Sequence, residues 1–153
     1  DAIVINGATT FMVGLSTAFA ALLTMEQIPM KIAGFITSIS QNGFVILLLI
    51  NLLLLLVGMF IDNIPATIIL TPILLPICRK FGMSPITFGI MLTMNLAIGF
   101  CTPPYGINLF VATAISKVKM EALSKELILL IGALILVLGA VTYIPSVTTI
   151  FLK

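Results

Sequence analysis

A chain of 153 residues that is 61% apolar and only 8% charged is excluded from the ordinary water-soluble class, whose members carry about 25% charged residues and need them to cover a core. A net charge of +2 without any basic run excludes a nucleic-acid partner. There is no histidine, and the two cysteines, Cys78 and Cys101, sit in apolar context without CxxC spacing. That excludes a soft metal site and leaves both thiols as packing residues.

The charges gather around Glu26 and Lys31, at Arg79-Lys80, and between Lys117 and Glu126. The stretches between are close to the roughly 20 residues that cross a bilayer as helix. The fold class is therefore all-α integral membrane. The chain begins at Asp1 and shows no leader pattern of basic, apolar and small-residue regions, so Asp1 is expected to be an internal point of a longer polypeptide.

Ala2 to Leu23 is rich in small residues, among them Gly7, Gly14, Ala18 and Ala21. Small residues let helix backbones approach closely in lipid, so the segment reads as a span packed on protein. In Thr24 to Gln41, the polar Gln27, Lys31, Ser38 and Gln41 occupy one face and Ile28, Ile32, Phe35 and Ile39 another. This predicts an amphipathic helix in the interface, a connecting loop being the alternative. Phe44 to Ile61 is a Leu-rich run broken only by Asn51 and Gly58, and it leads into Asp62-Asn63-Ile64-Pro65-Ala66-Thr67. Proline disfavours helix in the residue before it and lacks an N–H, so Pro65 is expected as the first helical residue of a new segment capped by Asp62 or Asn63. Ala66 to Cys78 would rise only about 20 Å, short of the roughly 30 Å hydrocarbon core. The prediction is a re-entrant hairpin with its polar tip inside the membrane and Arg79-Lys80 back at the face it started from.

Ser84-Pro85 predicts a helix start, with Ser84 as cap and Pro85 at the first helical position. The apolar run that follows ends in Gly99-Phe100-Cys101-Thr102-Pro103-Pro104-Tyr105-Gly106, which cannot continue a helix. A second half-helix, Ile107 to Ile115, then reaches Lys117, so this is a broken membrane helix. Met120 to Leu127 is predicted as a short surface helix and Ile128 to Tyr143 as the last span, with Tyr143 at the interface.

The two interruptions carry the functional signal. An unpaired peptide group in lipid costs several kcal/mol, so irregular backbone survives there only against protein or a wet cavity. Secondary transporters use this arrangement: half-helix N-termini face anionic solute groups, and unwound carbonyls coordinate Na⁺. The tip offers Asp62, Asn63 and Thr67; the break offers Thr102, Asn108 and the carbonyls of 99–102. Such oxygens suit a hard cation. Each has a plainer reading as well. Asp62 fits a turn in water, Asn63 a helix cap, and Pro103-Pro104 a kink. Asn51 and Asn95 are expected to hydrogen-bond between helices, and Glu26, Lys31, Arg79 and Lys80 to anchor at the interface. A membrane enzyme is disfavoured, since no histidine, paired carboxylates or activated nucleophile is present. A small structural or assembly subunit is the alternative to transport.

The runs Gly58-Met59-Phe60-Ile61-Asp62-Asn63-Ile64-Pro65-Ala66, then Pro72 and Pro76, and Asn95-Leu96-Ala97-Ile98-Gly99 leading to Thr102-Pro103-Pro104-Tyr105-Gly106-Ile107-Asn108-Leu109-Phe110, together with Glu26-Gln27-Ile28-Pro29, resemble the large membrane subunit of tripartite ATP-independent periplasmic (TRAP) transporters. The resemblance implies an elevator-type transporter of the bacterial inner membrane, multi-pass and built from inverted repeats. It would use Na⁺ as coupling ion, with no other cofactor, to import an organic acid such as a C4-dicarboxylate or sialic acid. The implied partners are membrane lipid, a small membrane (Q-type) subunit, a periplasmic substrate-binding protein, and an N-terminal repeat of the same permease that this chain lacks. Residues 1–41 would supply scaffold helix and interfacial arm, 42–116 the hairpin and broken helix of the transport domain, and 117–153 the surface helix and final span. More distantly, the hairpin tip is similar to the Ser-Asn-Thr tip of Na⁺/dicarboxylate symporters, with Asp62 where serine would stand. By that match Asp62, Asn63, Gly99, Cys101 and Thr102 would surround one Na⁺, and Asn63, Pro65, Thr67, Pro103, Pro104, Gly106 and Asn108 would line the solute site.

Overall fold

The computed structural model describes residues 42–61, 63–103 and 107–149, together with scattered residues between 10 and 38. The predicted Ala2–Leu23 span and Thr24–Gln41 interfacial helix lie largely outside the described residues, as do Asp62, Pro104 and Gly106. Six helices follow in order: α1 (Gly43–Phe60), α2 (Asn63–Lys80), α3 (Pro85–Phe100), α4 (Ile107–Ser116), α5 (Met120–Tyr143) and α6 (Pro145–Thr149). No strand occurs among the described residues. α1 and α5 are long and apolar enough to cross a membrane.

α1 starts where the Asn42 side chain accepts the Phe44 N–H at 3.0 Å, and it stops where Ile61 turns extended. α2 begins at once, at Asn63. Pro65 is thus the third helical residue, not the first as predicted. The first turn's N–H groups have no intrahelical acceptor, so a proline at the third position forfeits nothing either. α2 also runs further than predicted. Pro72 and Pro76 lie inside it, and its 18 residues rise about 27 Å, close to the hydrocarbon thickness. A re-entrant tip therefore has to be argued from its neighbours, not from the length of this arm. α2 closes through Phe81 and Gly82, the latter at φ +82°, where Met83 N–H reaches back to the Cys78 carbonyl at 3.1 Å. Only glycine takes that backbone geometry freely.

α3 is the centre of the molecule and packs on each of the other helices, most extensively on α1. Its start is as the sequence predicts: Ser84 Oγ accepts the Ile86 N–H at 3.2 Å and Pro85 opens the helix. The core between α1 and α3 follows helical spacing. Ile46, Ile50 and Leu54 on α1 meet Phe88, Met91, Leu92 and Leu96 on α3, all nearly or fully buried. Asn51 and Asn95 hydrogen-bond to each other across this interface at 2.7 Å, as expected of lone amides in apolar helices.

α5 corrects the predicted division into a surface helix and a separate span. It is one helix of 24 residues, about 36 Å long. Neither proline nor glycine separates Leu127 from Ile128, and nothing interrupts the backbone ladder there. Leu129 and Leu136, seven residues apart, are 81% and 78% exposed. Apolar exposure on that scale suits lipid or further protein, not water. At the far end of α5 the Tyr143 hydroxyl donates to the Phe44 carbonyl at 3.1 Å, and the two rings stack at 4.3 Å.

Candidate functional site at the hairpin tip and helix break

The buried stripe on α1 ends in Gly58 and that on α3 in Gly99. The two helices touch here backbone to backbone. A Cβ on Gly99 would lie 2.6 Å from the Gly58 carbonyl carbon and 2.7 Å from its Cα, and one on Gly58 would lie 2.9 Å from the Leu96 Cα. No side chain fits in either place. α1 leaves helical geometry three residues after Gly58, and α3 two residues after Gly99. The glycine contact therefore brings the ends of α1 and α3 to one level.

On the hairpin side, Thr67 Oγ1 donates to Asn63 Oδ1 at 3.2 Å, one turn apart on α2, and Thr71 Oγ1 donates to the Thr67 carbonyl. Asn63, Pro65 and Thr67 are all partly buried. They stand in the first turns of α2, whose N-terminal peptide dipoles favour negative charge. On the broken-helix side, α3 tightens as it ends. Thr102 N–H donates to the Gly99 carbonyl at 3.0 Å, and Thr102 Oγ1 donates to the Ile98 carbonyl at 2.7 Å. The Ile98 carbonyl also accepts the Cys101 N–H at 3.0 Å, so both of its lone pairs are engaged in closing α3. Asn108 Nδ2 reaches back across the break to Cys101 Sγ at 3.8 Å, which ties the first turn of α4 to the end of α3. Pro103 and Asn108 are exposed, and Cys101 and Thr102 partly so.

Of the residues singled out in the sequence, Asn63, Pro65 and Thr67 form one group, and Gly99, Cys101, Thr102, Pro103 and Asn108 the other. Of the two residues in contact, Gly58 stands a few positions before the first group and Gly99 at the head of the second. Gly58, noted in the sequence as an interruption of the Leu-rich run, is not among its candidate site residues. A signal for it exists, because it stands alone in a Leu-rich helix interior, where glycine costs about 1 kcal/mol relative to alanine. Arg79 and Lys80 lie at the opposite end of α2, about 25 Å along its axis, so neither faces the tip. Among the described residues no group of three or more His, Cys, Asp or Glu side chains gathers. The oxygens at hand are amide, hydroxyl and carbonyl, a donor set that fits a hard monovalent cation.

The sequence matches the profile of the tripartite ATP-independent periplasmic transporter, DctM component, over residues 1–147. It is 43% identical to the isethionate TRAP transporter permease protein DctMQ of Oleidesulfovibrio alaskensis, over 99% of this chain and 24% of that protein. It is 37% identical to the C4-dicarboxylate TRAP transporter large permease protein of Pseudomonas aeruginosa, over 90% of this chain and 32% of the relative. It is also 37% identical to the sialic acid TRAP transporter large permease protein of Vibrio cholerae, over 86% and 31%. The chain thus spans about a quarter to a third of the length of these relatives. No solved structure matches it. An all-helical chain with membrane-length apolar helices, matched to one family profile over nearly its whole length, belongs to the DctM component family of TRAP transporters, the large membrane permeases.

Proposed function

We propose that this chain forms the hairpin and broken-helix half of a Na⁺-coupled permease that imports an organic acid across the bacterial inner membrane. The observation that carries the reading is the Gly58–Gly99 contact, which brings the ends of α1 and α3 to one level. From that level α4 runs on for ten residues, about 15 Å, beside α5 before Lys117 is reached. A re-entrant hairpin requires that the tip stop short of the face where α4 ends. Peptide groups left open at that depth need protein, ions or solute around them, and a purely structural subunit has no use for them.

In this reading Na⁺ is held by Asp62, Asn63 and Thr102 with the backbone around Gly99 and Cys101. The solute's acidic group lies against the first turns of α2 and α4, with Asn63, Pro65, Thr67, Pro103, Pro104, Gly106 and Asn108 around it. The relatives' names specify isethionate, C4-dicarboxylate and sialic acid, all anions, and half-helix N-termini suit an anion whatever its remaining structure. Residues 1–41 serve as scaffold and interfacial arm, 42–116 as the moving unit, and 117–153 as the final helix packed on it. A small membrane subunit and a periplasmic binding protein complete the system, and the moving unit shifts in elevator fashion.

The test is uptake of these labelled acids into proteoliposomes holding the permease that contains this chain, with its binding protein outside. One acid should accumulate only under an inward Na⁺ gradient with the binding protein present. Equal uptake when K⁺ replaces Na⁺ would rule out the coupling.

A further inference from the structure

Below the glycine contact lies a run of buried polar side chains that the site does not use. Asn95 is fully buried one turn before Gly99, Asn51 lies two turns before Gly58, and Thr142 of α5 is 4% exposed. Their shorter hydrogen bonds run in one direction. Asn95 Nδ2 donates to the Met91 carbonyl at 2.8 Å and to Asn51 Oδ1 at 2.7 Å. Both neighbours are acceptors, so the orientation of the amide is fixed. Asn51 Nδ2 donates in turn to the Leu47 carbonyl at 2.9 Å and to Thr142 Oγ1 at 3.2 Å. Thr142 Oγ1 donates to the Leu138 carbonyl at 2.8 Å, with Asn51 Oδ1 a longer second acceptor at 3.5 Å. The chain of bonds begins at an acceptor with no partner, the buried Asn95 Oδ1.

A face made of glycine has no side chains to stop one helix from sliding or turning on the other. The apolar stripe beneath it is tolerant as well, since leucine and isoleucine contacts are non-directional. A buried amide pair is different, because it bonds at one distance and one angle, and a buried polar residue is best attested as a device for register. The orphaned oxygen fits that purpose: the amide is held through its nitrogen, in the one orientation that meets α1.

We infer that Asn95 and Asn51 are positioning residues for the Na⁺ site, fixing α1 on α3 so that the hairpin tip and the helix break keep one spacing, with Thr142 fastening α5 to the same lock. The inference rests on the function proposed above. It goes further by assigning the geometry of that site to a polar contact one to two helical turns below it.

The experiment compares Asn51→Leu, Asn95→Leu and the double variant in the reconstituted transporter. Each single change strands a buried partner and lowers the amount of inserted, heat-resistant protein. The double change strands none of the pair and restores that amount. Half-saturating Na⁺ nevertheless stays raised roughly tenfold in the double variant, the scale seen when a group that orients ion ligands is lost. A second measurement uses no Na⁺: spin labels on ketone-bearing residues at Phe60 and Ala97, both exposed and outside the site. Their separation is narrowly distributed in the parent and broad in the double variant. A stable double variant with the parent's Na⁺ half-saturation and the parent's narrow distance overturns the inference and reduces the network to glue. If the parent itself shows no Na⁺ dependence, it is the proposed coupling that fails, and the label distance alone then decides whether the pair sets register.

Discussion

Replacing Gly99 with alanine is expected to abolish uptake, although the protein still reaches the membrane. The added Cβ would sit 2.6 and 2.7 Å from backbone atoms of Gly58 and 3.0 Å from the Leu55 carbonyl oxygen. A flexible side chain could swing aside; the α1 backbone cannot. α1 and α3 must separate at the level where both are about to leave helical geometry. Overpacking of this kind costs about 1–3 kcal/mol, and backbone on the opposing side places it toward the upper end. The larger effect is on the site, since a misplacement of about 1 Å can lower a rate roughly 100-fold. The measurement is initial uptake per inserted permease, compared with Gly132→Ala on α5, where nothing lies within 4 Å of the added atom. Wild-type uptake by the Gly99 variant would show that the close approach does not position the site.

The second large effect is expected at Asp62. Asp62→Ala should weaken Na⁺-driven uptake without abolishing membrane insertion, because in the proposed site the change removes a carboxylate ligand of the ion. Loss of groups one shell out from a metal already costs roughly 10- to 100-fold in affinity, and a direct carboxylate should cost no less. Asp62→Asn keeps an oxygen and loses the charge, so its half-saturating Na⁺ should fall between those of wild type and Asp62→Ala. A normal Na⁺ response in the alanine variant would remove Asp62 from the ion site.

Much of this architecture is legible in the sequence because its signals are local. Ser84-Pro85 marks a helix start by cap chemistry and fixed proline geometry, and the structure has the helix begin there. The run from Gly99 to Gly106 breaks a helix: α3 carries its first two residues and ends at Phe100, and α4 begins just after it at Ile107. Asn51 and Asn95 need partners in an apolar setting, and each supplies the other. Boundaries were harder to place. Proline at the third position of a helix is as tolerable as at the first, so Pro65 did not locate the start of α2. Charges in the first turns of α5 looked like a separate surface helix, yet without a breaker the helix simply continues. Least legible was what depends on contact across the fold. Gly58 and Gly99 are 41 positions apart in the chain, and nothing near either announces the other. The direction of the Asn95–Asn51–Thr142 bonds is likewise set by which carbonyls lie within reach.

The reading rests on irregular backbone held at membrane depth, and Cys101 in the break is a native reporter of it. With Cys78 replaced by alanine, the rate at which a charged, membrane-impermeant thiol reagent modifies Cys101 is compared with the rates for cysteines placed at Lys80 and Lys117 in a background lacking Cys101. Cys101 is expected to react far more slowly than either, and more slowly still when Na⁺ is present. Modification as fast as at the two lysine positions, and indifferent to Na⁺, would put the break among the headgroups and contradict an ion and solute cradle inside the membrane.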